Sequence, residues 1–297
     1  MLKNQKYGVE IELTGITRAN AANVIANLFN TTARYEGGSY KTYTTTDQQG
    51  RTWKIMRDSS IQPEPYGDDY KVEVVSPILE YNDIETIQEV LRTLRENGAK
   101  ANSSCGIHIH IDGANHTATS LKNILNLMCN RQNLIYEALE VKANRLHYCK
   151  KVCPELLKKV KAVKNLDKTS IENLWYSKAN HNYEGYDNNN HYNQTRYQCL
   201  NLHSYFYRGT VEFRLFNSTT HAGELKAYIQ FCLAVSAWAV NSTDKIVFKN
   251  IDTYTATQKA TIMNGVLTER LGLIGEEFKT ARLHLMKHLQ EKAKATA

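Results

Sequence analysis

Residues 7–13 read Tyr7-Gly8-Val9-Glu10-Ile11-Glu12-Leu13, and this stretch decides the fold that we expect. Side chains alternate between the two faces of a β-strand, so Glu10 and Glu12 share one face and the apolar residues share the other. With a rise of about 3.3 Å per residue, the two carboxylates lie roughly 6.5 Å apart. A nearby cation relieves the repulsion between them, and a divalent metal ion would supply that charge.

The same alternation occurs in three further stretches that lie far apart in the sequence. Each places apolar side chains on one face and Glu, His, Asp or Arg on the other. If the four strands share one sheet with their apolar faces on the core, the other face becomes a floor of metal ligands with one arginine. Solvated outer faces of antiparallel sheets also alternate, but they favour Thr and other β-formers over repeated Glu and His. The three stretches are Lys71-Val72-Glu73-Val74-Val75, Ile107-His108-Ile109-His110-Ile111-Asp112 and Val211-Glu212-Phe213-Arg214-Leu215.

Length and composition fit one large domain, or one domain with a helical appendage, and the mixture of strand and helix patterns makes the expected fold class α+β. The 297 residues and the 42% hydrophobic content are enough for a sizeable core. We expect the main domain over residues 1–240 and a helical C-terminal extension over residues 241–297. No window of about 18 apolar residues is present, which argues against a membrane-spanning helix. The first residues form no apolar leader and no Cys-x-x-Cys pair occurs, so we expect a cytoplasmic protein.

Apolar spacing and turn signals predict the remaining elements. Thr17 is an expected N-cap, and Gly98 is an expected C′ residue. Residues 36–46 and 51–58 are predicted to pair as a hairpin across Gln48-Gln49-Gly50. The other expected elements are helices near 18–30, 82–97, 119–143, 220–241, 254–268 and 274–294, and strands near 70–76, 196–206 and 209–216.

The net charge of +7 is concentrated in residues 142–168. This segment holds nine lysine and arginine residues against Glu155 and Asp167, which accounts for the whole excess. A basic helical segment beside an acidic metal floor suits phosphates or an acidic substrate. Nucleic acid is a weaker candidate, because no aromatic strand motif or recognition helix accompanies the charge. The nine residues are Lys142, Arg145, Lys150, Lys151, Lys158, Lys159, Lys161, Lys164 and Lys168.

Between Ser177 and Thr195 the sequence is dominated by Asn, Tyr and His and shows no periodicity. Long loops inside compact domains are usually functional lids or disordered, and we expect a lid. With the basic segment, this loop forms an expected insert over residues 142–195. The residues that set the composition are Asn180, Asn182, Tyr183, Tyr186, Asn188, Asn189, Asn190, Tyr192 and Asn193.

Six short motifs occur in an order that resembles the amidoligase family, which is similar to the glutamine synthetase and glutamate–cysteine ligase superfamily. The resemblance covers roughly residues 7–240, and Arg145-Leu146-His147-Tyr148-Cys149 looks like a further family feature. It implies a curved antiparallel sheet of the glutamine synthetase catalytic-domain type, with helices packed on its apolar face. The motifs are Gly8-Val9-Glu10-Ile11-Glu12, Asp58, Glu73-Val74-Val75-Ser76-Pro77, Cys105-Gly106-Ile107-His108-Ile109-His110, Arg196 with Asn201, and Thr210-Val211-Glu212-Phe213-Arg214-Leu215-Phe216 with Thr219.

The activity that the resemblance implies is the ATP-dependent joining of a carboxylate to an amine, with two or three Mg²⁺ ions. Amide formation from a free carboxylate is unfavourable in water, so ATP would first convert it to an acyl phosphate that the amine then attacks. Mg²⁺ prefers carboxylates and substrate oxygens and neutralises charge on a transferring phosphoryl group. The expected metal ligands are Glu10, Glu12, Glu73, Glu212 and His110.

The resemblance also implies roles for residues beyond the metal ligands. Arg214 would stabilise phosphoryl charge, and Glu212 and Arg196 are the other catalytic candidates. The expected cofactor-binding residues are His110, Arg214, Arg145 and Asn201. His108 points to the same face as His110, but His110 is the better match to the second histidine of the family. Asp58 fits equally well as a turn cap, and Asn201 as a partner of the backbone.

Two other functions fit parts of the sequence. His108-x-His110-x-Asp112 resembles part of the motif of metallo-β-lactamase-type hydrolases, which use Zn²⁺, although Gly113 stands where their last histidine belongs. The other alternative is a non-catalytic module that binds nucleic acid or an acidic protein through the basic segment. The sequence leaves the substrates open between a peptide, an amino acid and a polyamine, and it leaves the oligomeric state open.

Overall fold

The chain forms an α+β fold around one open antiparallel sheet in the computed structural model, which describes residues 1–182, 189–243, 246 and 250–295. The strands are β1 Tyr7–Leu13, β2 Arg34–Gly37, β3 Thr42–Thr46, β4 Thr52–Met56, β5 Val72–Val75, β6 Gly106–Asp112, β7 Leu200–Asn201 and β8 Thr210–Asn217. They lie in the order β2-β3-β4-β5-β1-β6-β8-β7. The four strands with alternating charged faces, β5, β1, β6 and β8, therefore stand side by side, as their patterns predict.

Most helices of the described chain lie on the apolar side of this sheet. They are α1 Arg18–Leu28, α2 Ile84–Glu96, α3 Ala118–Ala138, α4 Pro154–Ala162, α5 Lys168–Trp175, α6 His203–Arg208, α7 Ala222–Asn241, α8 Ala256–Gly265 and α9 Lys279–Ala295. Helix α1 packs against β3 and β4, and α7 packs against β6. Helix α9 packs on α3 and α7, and α8 packs on α3 and α9, so the C-terminal residues complete the helical side of the molecule.

The apolar faces of the central strands form the core. Val9 of β1, Ile109 of β6 and Phe213 of β8 are all buried, and the residues two positions further along each strand, on the same face, are buried as well. Because the side-chain period of a strand is two, this burial fixes Glu and His on the opposite face. The hydrophobic effect thus positions the polar floor.

The pairing register brings the charged residues of different strands directly opposite one another. Glu12 pairs with Glu73 across β1 and β5, Glu10 pairs with His108 across β1 and β6, and His110 pairs with Glu212 across β6 and β8. Directly opposed residues in antiparallel strands have Cβ atoms about 4.5–5.5 Å apart. One pair of like charges, Glu12 with Glu73, and two Glu–His pairs therefore lie on the same face of the sheet.

Local signals in the sequence account for several element ends. The Thr17 side chain accepts the Asn20 backbone N–H at 3.3 Å and begins α1. Gly98 follows α2 with φ +94°, a left-handed conformation that glycine adopts without a steric penalty. The predicted β3–β4 hairpin is confirmed, with an Asp47 carboxylate oxygen accepting the backbone N–H groups of Gln49 and Arg51.

One predicted strand is wrong. Residues 196–206 contain only the two-residue strand β7, and the chain then turns into helix α6. Tyr205, Phe206 and Tyr207 favour strands by local propensity, but they belong to a short helix. Gly209, with φ +83°, caps its C-terminal end. The predicted helix over 119–143 ends earlier, at Ala138, and a 3₁₀ turn at Ala143–His147 follows it.

No helix among the described residues combines the length and the apolar character needed to cross a membrane.

Candidate active site

The polar face of the sheet forms the floor of a cleft of about 800 Å³. Its walls come from the β2–β3 hairpin on one side and from residues 191–208 on the other. All the residues predicted from the sequence to form the site line this one cleft. They are Glu10, Glu12, Glu73, His110, Arg145, Arg196, Asn201, Glu212 and Arg214.

Glu10 lies at the centre of the floor between two histidines. One of its carboxylate oxygens is 3.0 Å from His108 Nδ1, and the other is 3.3 Å from His110 Nε2. His110 Nδ1 lies 3.1 Å from the Thr210 hydroxyl. A Thr210 partner at Nδ1 leaves Nε2 facing the carboxylates, which is the orientation that a metal-binding histidine needs.

Glu212 is fixed from two sides. Its Oε2 atom accepts a hydrogen bond from the Asn201 side-chain amide at 2.6 Å, and its Oε1 atom pairs closely with the Arg214 guanidinium. The same Oε1 atom is 3.8 Å from His110 Nε2. The carboxylate is almost completely buried, so these partners replace the water that it loses.

Glu12 and Arg145 meet at the end of the floor near Gly106. Glu12 Oε2 accepts the Gly106 backbone N–H at 2.6 Å. The Arg145 guanidinium donates to the Arg214 carbonyl oxygen at 2.9 Å and occupies the space beside Gly106. A Cβ atom at Gly106 would lie 1.8 Å from Arg145 Nη1, so the absence of a side chain is what admits the guanidinium.

Three groups of side chains on this floor could each hold a metal ion. Within each group, one ligand atom per residue lies within 4.8 Å of the others. Glu10 and Glu73 each belong to two groups, which makes the three positions adjacent. The groups are Glu10 with Glu73 and His108, Glu10 with His110 and Glu212, and Glu12 with Asp58 and Glu73.

The surroundings of the floor carboxylates shift their pKa values in different directions. Burial raises the pKa of Glu73 well above its usual range, and the negative charges of Glu10, Asp58 and Glu12 raise it further. Burial also raises the pKa of Glu12. Burial acts in the same direction on Glu212, but Arg214 and His110 outweigh it and lower that pKa to about 2.

These observations fit a binding site for hard divalent cations. Carboxylate oxygens dominate the ligand set, and Mg²⁺ prefers oxygen ligands. The floor holds five carboxylates, Glu10, Glu12, Asp58, Glu73 and Glu212, beside the guanidinium groups of Arg145 and Arg214. A divalent ion would supply the missing charge and release the protons.

Sequence reasoning undervalued two residues of the floor. The Asp58 carboxylate accepts the Ser60 backbone N–H at 2.6 Å, which is the predicted turn cap, and also belongs to a ligand group with Glu12 and Glu73. His108 contacts Glu10 more closely than His110 does. For both residues the signal was present, since Asp58 stands in the motif order and His108 shares the face of His110.

Two expectations about the surroundings of the floor need correction. Of the nine basic residues in 142–168, only Arg145 lines the cleft, so the lysines of α4 do not surround the acidic floor. Arg196 stands on the wall, where its guanidinium lies over the rings of Tyr192 and Tyr197 at 5.8 and 5.7 Å. From the expected lid, His191 and Tyr192 also line the wall; Tyr183, Tyr186 and Asn188 lie outside the described residues.

Comparison with known families decides between the functions that the sequence leaves open. A family model described as "Putative amidoligase enzyme" matches residues 3–236. The chain belongs to this amidoligase family. The family description indicates a ligase. The matched region includes every residue of the floor and of the cleft walls. None of the curated proteins matches this amidoligase.

The two alternative functions find no support in the structure of this amidoligase. Asp112, the last acidic residue of the hydrolase-like motif, accepts the Ala114 backbone N–H at 3.0 Å and lies outside the three ligand groups found among the described residues. Of the basic residues of the segment that would carry a binding module, only Arg145 lines the cleft. The floor instead combines His108 and His110 with four glutamates.

Proposed function

We propose that this amidoligase is an ATP- and Mg²⁺-dependent carboxylate–amine ligase with a sheet of the glutamine synthetase catalytic-domain type. The observation that carries the proposal is the row of three adjacent ligand groups, which share Glu10 and Glu73 and lie beside Arg214 and Arg145. Several divalent ions next to two buried guanidinium groups suit a polyphosphate and the charge that moves during phosphoryl transfer.

The proposed reaction has two steps. An oxygen of the substrate carboxylate forms a bond to the γ-phosphorus of ATP while the bond to the ADP oxygen breaks, which gives an acyl phosphate. The amine then forms a bond to the acyl carbon, phosphate leaves, and the nitrogen loses one proton. The ligand groups of the floor supply charge neutralisation for the phosphates when they hold Mg²⁺.

Different residues would bind the metal ions and stabilise the phosphoryl group. Glu10, Glu12, Glu73, Glu212 and His110 would hold the metal ions, together with Asp58 and His108. Arg214 is buried against Glu212, so its charge is fixed in a water-poor site where it acts strongly on a transferring phosphoryl group.

Arg145 and Arg214 offer donor groups that the protein itself does not use. The Nε atoms of both guanidinium groups are buried and lack a hydrogen-bond partner within the described chain. An unsatisfied buried donor is costly unless a ligand completes it. A phosphate oxygen is the ligand that fits this proposal, because planar guanidinium groups bind phosphates through paired donors. Arg196, half-buried on the wall, would contact the far end of a substrate.

Thermal unfolding tests the nucleotide and metal requirement. A ligand that binds only the native state raises the unfolding temperature. We expect a non-hydrolysable ATP analogue with Mg²⁺ to raise the unfolding temperature of the wild type more than either ligand alone, and to have no such effect on a Glu12→Gln, Glu212→Gln double variant. The matched control is Lys164→Gln, which changes an exposed residue outside the cleft. No shift in the wild type would exclude ATP use.

A further inference from the structure

The mouth of the cleft carries an unusual concentration of exposed aromatic side chains. Among the described residues, eleven large apolar or aromatic side chains are exposed, and four of them are tyrosines that line this cleft. Their exposed fractions are 38% for Tyr40, 38% for Tyr148, 55% for Tyr192 and 42% for Tyr207. Clustered exposed aromatic surface marks a binding site, and tyrosine is enriched where proteins recognise polypeptides. We name these four residues the tyrosine rim.

Contacts within the protein hold the tyrosine rim in place. The Tyr207 ring is stacked with His191 at 5.8 Å and with His203 at 5.4 Å. Tyr148 packs edge-on against Tyr197 at 5.8 Å, and the Tyr40 and Tyr192 hydroxyls contact each other across the cleft. Aromatic groups that are ordered before binding lose little conformational entropy when a partner binds.

Two guanidinium groups stand among these tyrosines without a carboxylate partner in the described chain. Arg196 donates to the His191 carbonyl oxygen at 3.4 Å and lies over two tyrosine rings. Arg208 contacts His191 Nε2 and lies over the Tyr207 ring. Arg57, which also lines the cleft, is by contrast paired with Asp68 at 2.6 Å. As far as the structure describes the chain, the mouth of the cleft therefore presents two guanidinium groups without a carboxylate partner above an acidic floor.

We propose that the tyrosine rim, with Arg196 and Arg208, binds an acidic polypeptide segment and presents one of its carboxylates to the floor. The rim spans separate segments of the chain on both sides of the cleft, so an extended partner contacts more of it than a single amino acid does. The positive charge selects carboxylates, because complementary charge sets the specificity of an interface more than its area does. A neutral or basic segment lacks a partner for either guanidinium. The inference rests on the proposed ligase function and names the class of its carboxylate substrate.

Binding of a labelled peptide tests the inference without any nucleotide, so its failure is distinct from failure of ATP use. The probe is a short fluorescein-labelled peptide of alternating Glu and Gly, measured by fluorescence anisotropy in buffer with Mg²⁺ at fixed salt. The comparison probes are the same peptide with Gln in place of Glu, and a labelled single-stranded oligonucleotide of equal net charge. We expect the acidic peptide to bind about tenfold more tightly than the Gln peptide and more tightly than the oligonucleotide.

Variants locate the binding to the rim. We expect Arg208→Gln and Tyr192→Ala each to weaken binding of the acidic peptide on the order of five- to tenfold. Lys164→Gln is the matched charge control, and Tyr66→Ala is the matched tyrosine control, since both residues are exposed and lie outside the cleft lining. Both controls should bind like the wild type, and unchanged unfolding temperatures would show that all four variants fold.

Three results would overturn the inference. The first is an acidic peptide that fails to bind or binds no better than the Gln peptide. The second is an affinity that Arg208→Gln and Tyr192→Ala leave unchanged. The third is tighter binding of the oligonucleotide, which would assign the rim to nucleic acid, since tyrosine and arginine side chains also stack on single-stranded bases.

Discussion

Asn201 donates its side-chain amide to Glu212 Oε2 at 2.6 Å, and the two residues face each other across the β7–β8 strand pair. Both side chains are buried. The two-residue strand β7 thus serves to hold one amide against one carboxylate of the floor. The sequence leaves Asn201 open between a cofactor contact and a backbone partner, whereas the structure places it on Glu212.

Replacing Asn201 with Ala should destabilise the metal-free protein. Loss of a hydrogen bond to a buried charged group costs about 1.5–3 kcal/mol, and Glu212 would keep only its contact with Arg214 and the more distant His110. Urea unfolding with a chelator present measures the change in the free energy of unfolding. An Asn201→Ala variant with wild-type stability would mean that this hydrogen bond contributes nothing to the free energy of unfolding.

Gly106→Ala should remove Arg145 from the floor while the sheet remains intact. The new Cβ atom would lie 1.8 Å from Arg145 Nη1, and the side chain can move more readily than the strand. We therefore expect Gly106→Ala to weaken binding of the Mg²⁺–ATP analogue by about tenfold, and we expect Arg145→Gln to weaken it to the same degree. Titration calorimetry of both variants tests this. Tight binding by Gly106→Ala with weak binding by Arg145→Gln would show that Arg145 keeps its position.

Glu73→Gln should stabilise the metal-free protein at neutral pH. Burial and nearby carboxylates raise the pKa of Glu73 in the folded state, so the folded protein holds this proton more tightly than the unfolded chain. The stability that this proton contributes is fully present below the unfolded pKa of about 4.3 and is lost as the pH rises through the folded pKa. Glutamine stays neutral at every pH, so the variant does not lose this stability as the pH rises.

Unfolding temperatures at several pH values measure the effect of Glu73→Gln. With a chelator, the variant should be more stable than the wild type at neutral pH, and the difference should disappear in acid. With Mg²⁺ the wild type should gain stability and the variant should gain less. A variant that is less stable than the wild type at neutral pH without metal would contradict this account of the floor.

Truncation after Asn241 should abolish the compact native state. Helix α9 packs on α3 and α7, and α8 packs on α3 and α9. Leu267, Leu285 and Leu289 of this C-terminal part are completely buried. Removing these helices would expose the apolar face of α7 to water. Expression of residues 1–241 should give aggregated protein, and a monomeric, cooperatively unfolding product would show instead that residues 241–297 are a separate unit.

Residues of the floor were predictable because alternation is a local property. In β1, β5 and β8, Glu10, Glu12, Glu73, Glu212 and Arg214 alternate with buried apolar residues, and the core decides which face they take. The pairing register is not local, so the opposition of Glu12 and Glu73 or of Glu10 and His108 cannot be read from any one strand. Prediction of that geometry needs the tertiary packing.

The cleft wall was the part that sequence reasoning placed least well. Residues 203–208 have strand-forming side chains but form a helix, in which Tyr207 stacks on His203 one turn earlier and on His191 of the preceding segment. Strand propensity does not take the contact with His191 into account. Arg196, a catalytic candidate from the sequence, lies on the cleft wall over the rings of Tyr192 and Tyr197. Charge counting also misplaced the basic segment, since composition does not show which lysines face the cleft.

Trapping with hydroxylamine tests most directly the claim that this amidoligase activates a carboxylate with ATP. The protein is incubated with ATP, Mg²⁺, hydroxylamine and, in separate reactions, acidic peptides, free amino acids and simple dicarboxylates. Hydroxylamine takes the place of the amine and converts an acyl phosphate to a hydroxamate. We predict hydroxamate and ADP in equal amounts with at least one carboxylate, and neither product from the Glu212→Gln variant. Hydroxamate that forms without ADP, or none from any carboxylate, would contradict the account.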